Sequence, residues 1–301
     1  MKEEKKFNLS FYKVDEECIL PFIEINFKGK DSKIYSAIML MDTGSNINAI
    51  TTEMRVFIDD ADWLPEESDE VVSLDNKDIV HSCANFHFLM GGYIFQEKFL
   101  IFDDMHVMQF GDRKFVGILG TRFMQQYHLV IDYELMSVRQ SDLTMEALQK
   151  KRCDFIIPME YGLKYYNCPI LKIRGEKSDA IVLVDTGCDN FSISQNAIEE
   201  CRLSYKIIAD VQSLIGGNGI VDAKMCELDF RLADHLGNDI DTDSFKEEVY
   251  VLPHSYNFTE DGECDDDGNL LSTIEGMVGS PFMAKQKWVL DFCVKVIYKL
   301  K

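Results

Sequence analysis

The sequence predicts a mainly β protein built from two similar lobes. Three observations lead to this prediction: short runs rich in β-branched and aromatic residues, motifs that occur twice in the same order, and few segments with helical character. The chain has 301 residues, of which 46% are hydrophobic, so it can bury a core in each lobe.

An internal repeat divides the chain. Three motifs occur twice and keep their order, which indicates a duplicated unit. The boundary is predicted near residue 150, which gives an N-terminal lobe over 1–150 and a C-terminal lobe over 151–301. The paired motifs are IMLMDTGSN at 38–46 with IVLVDTGCDN at 181–190, GILGTRFM at 117–124 with GMVGSPFM at 276–283, and VIDY at 130–133 with VLDF at 289–292.

Local composition predicts the individual elements. Strands are expected at IEINF, IMLM, NFHFL, FLIF and VIDY in the first lobe and at ILKI, IVLV and VYVL in the second. The apolar runs before both DTG triplets are continuous, which predicts strands buried on both faces. Helices are predicted at Gln195–Cys201, behind a serine N-cap, near Met283–Lys287 and within 141–152. The polar stretches 234–245 and 256–269 are predicted to be surface loops.

Composition also disfavours several classes of function. Acidic residues outnumber basic ones by 52 to 31 and the net charge is −21, which disfavours nucleic acid and anionic membranes as partners. There is no apolar run of about 18 residues, and the charged N-terminus lacks the apolar core of a signal peptide. Nine cysteines without close pairing indicate reduced thiols. These features predict a cytoplasmic protein.

The DTG triplets at 42–44 and 185–187 are the strongest functional signal. Either triplet alone fits a tight turn. Two copies, each after a buried strand and each followed by an apolar-apolar-Gly segment, predict a paired site. Two carboxylates held close together share one proton, so one can act as a base toward water and the other as an acid toward a carbonyl oxygen. Asp42 and Asp185 are therefore the predicted catalytic pair.

The neighbours of the pair are predicted to support it. Gly44 and Gly187 allow the two backbones to approach closely. The hydroxyls of Thr43 and Thr186 can bond across to the opposite loop. Because the site forms only when the lobes face each other, the sequence predicts a monomer with intramolecular lobe pairing.

With these motifs the chain resembles the retropepsin and pepsin clan of aspartic proteases, most closely the bacterial retropepsin-like form with two fused lobes. The DTG triplets match the catalytic loops, and ILG at 118–120 and MVG at 277–279 match the segment behind each loop. The resemblance implies a retropepsin-like β-barrel in each lobe, an interlobe active-site cleft, and a sheet built from the termini around Phe7–Val14 and Val294–Leu300. It implies an aspartic endopeptidase that hydrolyses a peptide or protein substrate without metal or cofactor.

The resemblance also implies a β-hairpin flap over the cleft from each lobe. In lobe two the stretch 213–224 contains the run GGNG, in which Asn-Gly favours a type I′ turn and Gly-Gly adds mobility. In lobe one the stretch 71–81 has no glycine, which predicts a stiffer hairpin. Neither tip carries the tyrosine typical of pepsin flaps, which favours the retropepsin likeness. The predicted flap residues are Gly216, Gly217, Asn218 and Gly219 in lobe two and Asp75, Asn76 and Lys77 in lobe one.

The residue after each DTG triplet is predicted to tune the pair. In pepsin-like relatives this residue is usually Ser or Thr, whose hydroxyl bonds the outer oxygen of the catalytic Asp. Ser45 keeps the hydroxyl in lobe one, whereas Cys188 in lobe two is a weak donor. Loss of a hydrogen bond to a carboxylate raises its pKa. The sequence thus predicts activity at mildly acidic or near-neutral pH, and a lower optimum in Cys188→Thr.

Two other classes of function remain open. A non-catalytic peptide-binding module would keep the same fold without turnover, although both Asp residues are intact. A calcium-dependent interaction protein would use the acidic stretch 257–269, but Ile274 stands where such a loop requires a bidentate Glu. His81, Cys83 and His87 lack the paired spacing of a zinc site, so no metal site is predicted.

Overall fold

A computed structural model of the chain confirms that the protein is mainly β. Its strands form three large sheets, of which two close into barrels and one is shared by the two halves of the chain. The residues that the structure describes are 7–13, 18–72, 78–102, 109–110, 112–161, 168–216, 219–233, 244–254 and 274–301.

The elements of the described residues follow in chain order. In the first half the strands are β1 (Asn8–Ser10), β2 (Phe22–Lys28), β3 (Ile34–Met41), β4 (Ala49–Thr51), β5 (Trp63–Val72), β6 (Asp78–Met90), β7 (Tyr93–Phe102), β8 (Gln109–Phe110), β9 (Arg113–Leu119), β10 (Leu129–Asp132) and β11 (Ser137–Gln140). In the second half they are β12 (Cys153–Pro158), β13 (Glu160–Tyr161), β14 (Pro169–Arg174), β15 (Asp179–Asp185), β16 (Phe191–Ser194), β17 (Ser204–Gly216), β18 (Gly219–Ala233), β19 (Phe245–Leu252), β20 (Gly276–Gly279), β21 (Val289–Asp291) and β22 (Val296–Leu300). The helices are a 3-10 turn (Thr52–Val56), α1 (Thr121–Gln126), α2 (Met145–Gln149), α3 (Gln195–Cys201) and α4 (Ser280–Gln286).

The first barrel closes in the strand order β2-β3-β9-β4-β7-β6, and Asn26 of β2 pairs with Leu89 of β6 to complete the ring. Strands β3 and β9 are parallel, with Met41 opposite Leu119. The end of β3 that leads into Asp42 is buried throughout. This confirms the prediction that the strand before the first DTG triplet lies deep in its lobe.

The second barrel repeats this arrangement. Its order is β14-β15-β20-β16-β19-β18, and Ile173 of β14 pairs with Leu232 of β18 to close it. Strands β15 and β20 are parallel, with Val184 opposite Val278. The sequence repeat is therefore a structural repeat, because each DTG triplet follows a barrel strand that pairs with an apolar-apolar-Gly strand.

A third sheet joins the two halves of the chain. Its order is β1-β11-β10-β21-β22-β12, and its middle pair places Ile131 opposite Leu290. Strands β1 and β22 lie near the two ends of the chain, as the family resemblance implies. Three neighbouring strands come from before residue 150 and three from after it. The exact domain boundary stays a prediction, but the two halves of this sheet lie on either side of it.

The observed helices agree in part with those predicted from the sequence. Helix α3 has the predicted bounds, and the hydroxyl of Ser194 accepts a hydrogen bond from Ala197 N at 3.0 Å as its N-cap. Helix α2 lies within 141–152 as predicted. Helix α4 begins at Ser280, earlier than predicted, because Pro281 favours the first turn of a helix. Helix α1 was not predicted, although it occupies the equivalent position in the first copy of the repeat.

Both predicted hairpins are present, but one turn differs from the prediction. Strands β5 and β6 pair up to Val72 opposite Asp78, so the predicted tip residues 75–77 lie outside the described residues. Strands β17 and β18 pair up to Gly216 opposite Gly219. Gly219 is thus a strand residue, and the connection is 217–218 and not 218–219 because the strand register extends one residue further. Residues 217–218 also lie outside the described residues.

The remaining predicted loops are described only at their edges. Most of 234–245 and all of 257–269, including the acidic stretch weighed for calcium, lie outside the described residues. Where the structure describes the chain, no group of three or more His, Cys, Asp or Glu residues is arranged to hold a metal ion. No helix in those same residues has the length and apolar character needed to span a membrane.

Candidate active site

The two DTG loops are locked together by their threonines. Thr43 N donates to Thr186 Oγ1 at 3.0 Å, and Thr186 N donates to Thr43 Oγ1 at 2.9 Å. Each hydroxyl then donates to a strand of the opposite lobe. Thr43 Oγ1 bonds Val184 O at 2.6 Å, and Thr186 Oγ1 bonds Met41 O at 2.5 Å. Both threonines are fully buried, so separating the loops would leave these polar groups without partners. The predicted bonding across the loops is therefore present.

This lock brings Asp42 and Asp185 together. The two carboxyl groups are hydrogen-bonded to each other. Each carboxylate also accepts a backbone N–H of its own loop, from Gly44 to Asp42 Oδ1 and from Gly187 to Asp185 Oδ1, both at 2.8 Å. A Cβ atom on Gly44 would lie 2.5 Å from Asp185 Cγ, and one on Gly187 would lie 2.7 Å from Asp42 Oδ1. Glycine is required at both positions because the opposite carboxyl group fills the space.

The environment of the pair favours a shared proton. Burial raises the pKa of Asp42 well above its usual value, and the nearby charge of Asp185 raises it further. Burial also raises the pKa of Asp185, while the hydrogen bond with Asp42 and the backbone N–H groups lower it. Protein atoms crowd both groups, yet each residue keeps partial exposure to solvent, so water can reach them. Such a pair retains one proton over a wide pH range, and it can then act as an acid and a base together.

The apolar-apolar-Gly segments hold each loop from behind. A Cβ atom on Gly120 would lie 2.4 Å from Ile47 O, and one on Gly279 would lie 2.1 Å from Asn190 O. The next residue along donates its backbone N–H to the carbonyl of the residue that follows the DTG triplet, at 2.8 Å in lobe one and 2.9 Å in lobe two. Because it has no side chain, the last glycine of each segment lets a helix start directly behind a DTG loop.

The hydrogen bond expected from the Ser45 hydroxyl to Asp42 is not formed, although the backbone N–H of Ser45 does bond this carboxyl group. Ser45 Oγ donates to Ile47 O at 3.0 Å and accepts from Ile47 N at 3.3 Å, because a short hydroxyl side chain in a tight loop bonds its own backbone. The thiol of Cys188 faces the backbone of Asn190 in the same manner. Neither lobe places a side-chain hydroxyl on its Asp at this position. The premise that Cys188 distinguishes the two lobes by a lost bond is therefore wrong.

Cys188→Ser is expected to leave the titration of the Asp42–Asp185 pair nearly unchanged, in contrast to the expectation from sequence. The Ser45 side chain shows that a hydroxyl at this position turns toward the backbone of its own loop. The measurement is the pH titration of the pair by NMR of the side-chain carboxyl carbons, with Cys188→Ala as the control that has no donor. A downward shift of the titration in Cys188→Ser but not in Cys188→Ala would show that the hydroxyl reaches Asp185.

Asp42→Asn is expected to stabilise the protein at neutral pH. A carboxyl group whose pKa is raised on folding binds protons more tightly in the folded state, so the free energy of unfolding falls as the pH rises from the ordinary Asp value, near 4, through the raised value. Asn cannot ionise, so the variant does not lose this part of the free energy of unfolding as the pH rises. Each kcal/mol gained raises the midpoint of thermal unfolding by about 2–4 °C. The gain should be present at pH 7–8 and shrink toward pH 4.

The measurement is thermal unfolding of both proteins across this pH range. Asp291 is also fully buried with a raised pKa, so it too makes the stability of the wild type depend on pH. The difference in stability between the wild type and Asp42→Asn isolates the contribution of the pair. Exposed Asp59, changed to Asn, is the matched control. A variant that is less stable than the wild type at pH 8 would contradict the raised pKa of Asp42.

A set of buried polar residues behind the loops was not predicted from the sequence. Ser280 and Thr121 follow the last glycine of the two repeated segments, and both are fully buried. The phenol of Tyr133 lies 2.5 Å from Ser280 Oγ, and Thr121 is hydrogen-bonded to the Cys168 thiol. The repeat contained a signal for them, because a hydroxyl residue stands at the same place in both copies.

Comparisons of the whole chain with protein-family models and with curated proteins gave no match. The function is therefore inferred from the motifs and from the geometry of the two DTG loops.

Proposed function

We propose that this protein is an aspartic endopeptidase. The observation that carries the proposal is the pair of Asp42 and Asp185, hydrogen-bonded to each other between interlocked loops of two equivalent barrels. The resemblance of the DTG and apolar-apolar-Gly motifs to those of the retropepsin and pepsin clan supports the same function.

In the proposed reaction a water molecule is held between the two carboxyl groups. The ionised carboxylate removes a proton from this water as its oxygen attacks the peptide carbonyl carbon. The protonated partner donates its proton to the carbonyl oxygen, which gives a neutral tetrahedral diol. The carboxyl group that took the proton from water then donates it to the leaving nitrogen as the C–N bond breaks. The other carboxylate accepts a proton from a hydroxyl of the diol, so the products are a carboxylic acid and an amine, and the pair again holds one proton, on the same carboxyl group as at the start. This route requires no cofactor and forms no covalent bond between enzyme and substrate.

The substrate in this proposal is an extended peptide or protein segment lying between the two barrels. The hairpins β5–β6 and β17–β18 would cover it and hold its backbone as an added strand. Because backbone bonds supply this binding, the substrate segment must be unfolded or exposed. Both carboxyl groups come from one chain, so the protein would act as a monomer, and we propose the cytoplasm as its location.

The test is incubation of the full chain with a diverse mixture of peptides, followed by mass spectrometry of the fragments. Asp42→Asn is the control, because it keeps the shape of the site and cannot exchange the proton. Fragments that appear with the wild type and not with Asp42→Asn support the proposal. Peptides that bind to the wild type over the pH range 4–8 and are never cleaved would instead identify a non-catalytic peptide-binding module.

A further inference from the structure

A chain of hydrogen bonds begins at Tyr133 in the first half of the protein and enters the catalytic loop of the second. The phenol of Tyr133 lies 2.5 Å from Ser280 Oγ, and Ser280 Oγ lies 2.7 Å from Thr186 O. A carbonyl oxygen can only accept, so the single Ser280 hydroxyl proton points to Thr186. The phenol of Tyr133 is therefore the donor to Ser280, which fixes the direction of the chain.

The chain of hydrogen bonds continues through a peptide group to the carboxylate of Asp185. The Thr186 carbonyl and the Gly187 N–H belong to the same peptide group, and Gly187 N donates to Asp185 Oδ1 at 2.8 Å. Hydrogen bonds in series polarise one another, by about 10–30% per bond. Each donor in the chain therefore strengthens the last bond, and a stronger bond to a carboxylate favours its charged form.

The second copy of the repeat has no tyrosine at the equivalent place. Phe292 occupies the place of Tyr133 in the second copy of the repeat, and it has no hydroxyl to donate. Thr121 takes the place of Ser280, and its neighbour is the Cys168 thiol, a weak hydrogen-bonding group. Tyr133, Ser280 and Phe292 are all buried, so water does not screen the electrostatic effect of this difference between the lobes.

We infer that Tyr133 is a positioning residue which, through Ser280 and the Thr186–Gly187 peptide group, stabilises the negative charge on Asp185, so that the shared proton rests on Asp42. The catalytic consequence rests on the proposed function: Asp185 is then the base that activates water, and Asp42 is the acid that protonates the substrate carbonyl. The two similar lobes thus have different roles.

Few other groups can titrate beside Asp185. In the described residues, the titratable side chains that face it from neighbouring elements are Asp42, Tyr133, Cys168 and Cys188. Burial raises the pKa of the Tyr133 phenol and of both thiols above their usual values, so these three groups stay neutral in acidic and neutral solution. A titration seen at this site between pH 3 and 8 therefore belongs to the carboxyl pair.

The test compares Tyr133→Phe with the wild type by ¹³C NMR of side-chain carboxyl carbons in Asp-labelled protein. Asp42→Asn and Asp185→Asn assign the two signals. In the wild type we expect Asp185 to ionise first and Asp42 to keep its proton into the neutral range. In Tyr133→Phe the first ionisation should move upward by roughly 0.3–1 pH unit, and the acidic limb of the cleavage profile should move with it.

Tyr298→Phe is the matched control. Tyr298 is equally buried, but its surroundings are Arg139, Asp132 and Asp291 of the shared sheet and not the carboxyl pair. Its loss should leave the titration of the pair unchanged. Ser280→Ala breaks the same chain one step later and should shift the titration in the same direction as Tyr133→Phe.

The outcomes separate this inference from the proposed function. A titration that is the same in Tyr133→Phe, Ser280→Ala and the wild type would overturn the inference, even in an active peptidase. A shifted titration in a protein that cleaves no peptide would support the inference and overturn the proposed function. A wild-type proton that rests on Asp185 would also overturn the inference.

Discussion

Asp42→Asn and Asp185→Asn are each expected to reduce peptide cleavage by at least about 10³-fold, because an amide can neither accept the proton from water nor return it to the substrate. The fold should survive, since Asn has the size of Asp, its amide oxygen can still accept the backbone N–H of its loop, and the threonine bonds between the loops are unchanged. The measurement is kcat/KM on a peptide identified from the mixture, together with circular dichroism of each variant.

The double variant should be little worse than either single variant, because the two carboxyl groups act as one unit. Asp59→Asn, at an exposed position, should keep wild-type activity and controls for the loss of one negative charge. Cleavage within tenfold of the wild type by either single variant would rule out the mechanism based on the pair.

Thr186→Val is expected to lower the free energy of unfolding by about 2–4 kcal/mol. Valine has the shape of threonine, but it cannot donate to Met41 O or accept from Thr43 N, and both of these bonds cross between the lobes. A buried polar group left without a partner costs about 1–3 kcal/mol. The measurement is denaturant unfolding, and cleavage should fall as well because the two loops lose their alignment.

Thr186→Ser is the matched control, since it removes only a methyl group and keeps both hydrogen bonds. It should be clearly more stable than Thr186→Val. The effects of Thr43→Val and Thr186→Val should not add in the double variant, because the two residues exchange their bonds. Equal stability of the Val and Ser variants would show that the threonine bonds contribute nothing to lobe pairing.

The repeated parts of the structure could be predicted well from the sequence. Both copies of the repeat contain the same local sequence features: a DTG triplet, an apolar run before it and a glycine behind it. Two copies of a buried strand followed by Asp-Thr-Gly leave few arrangements in which both carboxyl groups can share a proton. For the same reason, the exchange of hydrogen bonds between Thr43 and Thr186 followed from residue type alone.

The features that could not be predicted depend on contacts between distant segments or on the choice of one rotamer. The Ser45 hydroxyl has two acceptors within reach, and only the folded loop decides between Asp42 and its own backbone. The turn of the β17–β18 hairpin is set by strand register, which composition does not reveal. The contact of Tyr133 with Ser280 joins residues that are far apart in the chain, so no local pattern signals it.

The way the two halves of the chain are joined determines how this protein responds to dilution. Strands β10 and β21 form the contact between the halves in the shared sheet, and the short segment 141–152 links the halves covalently. Two separate halves would associate to an extent set by their concentration. A short tether turns this association into an intramolecular step, with an effective concentration on the order of millimolar. The paired carboxyl groups therefore stay assembled however few copies of the protein a compartment contains.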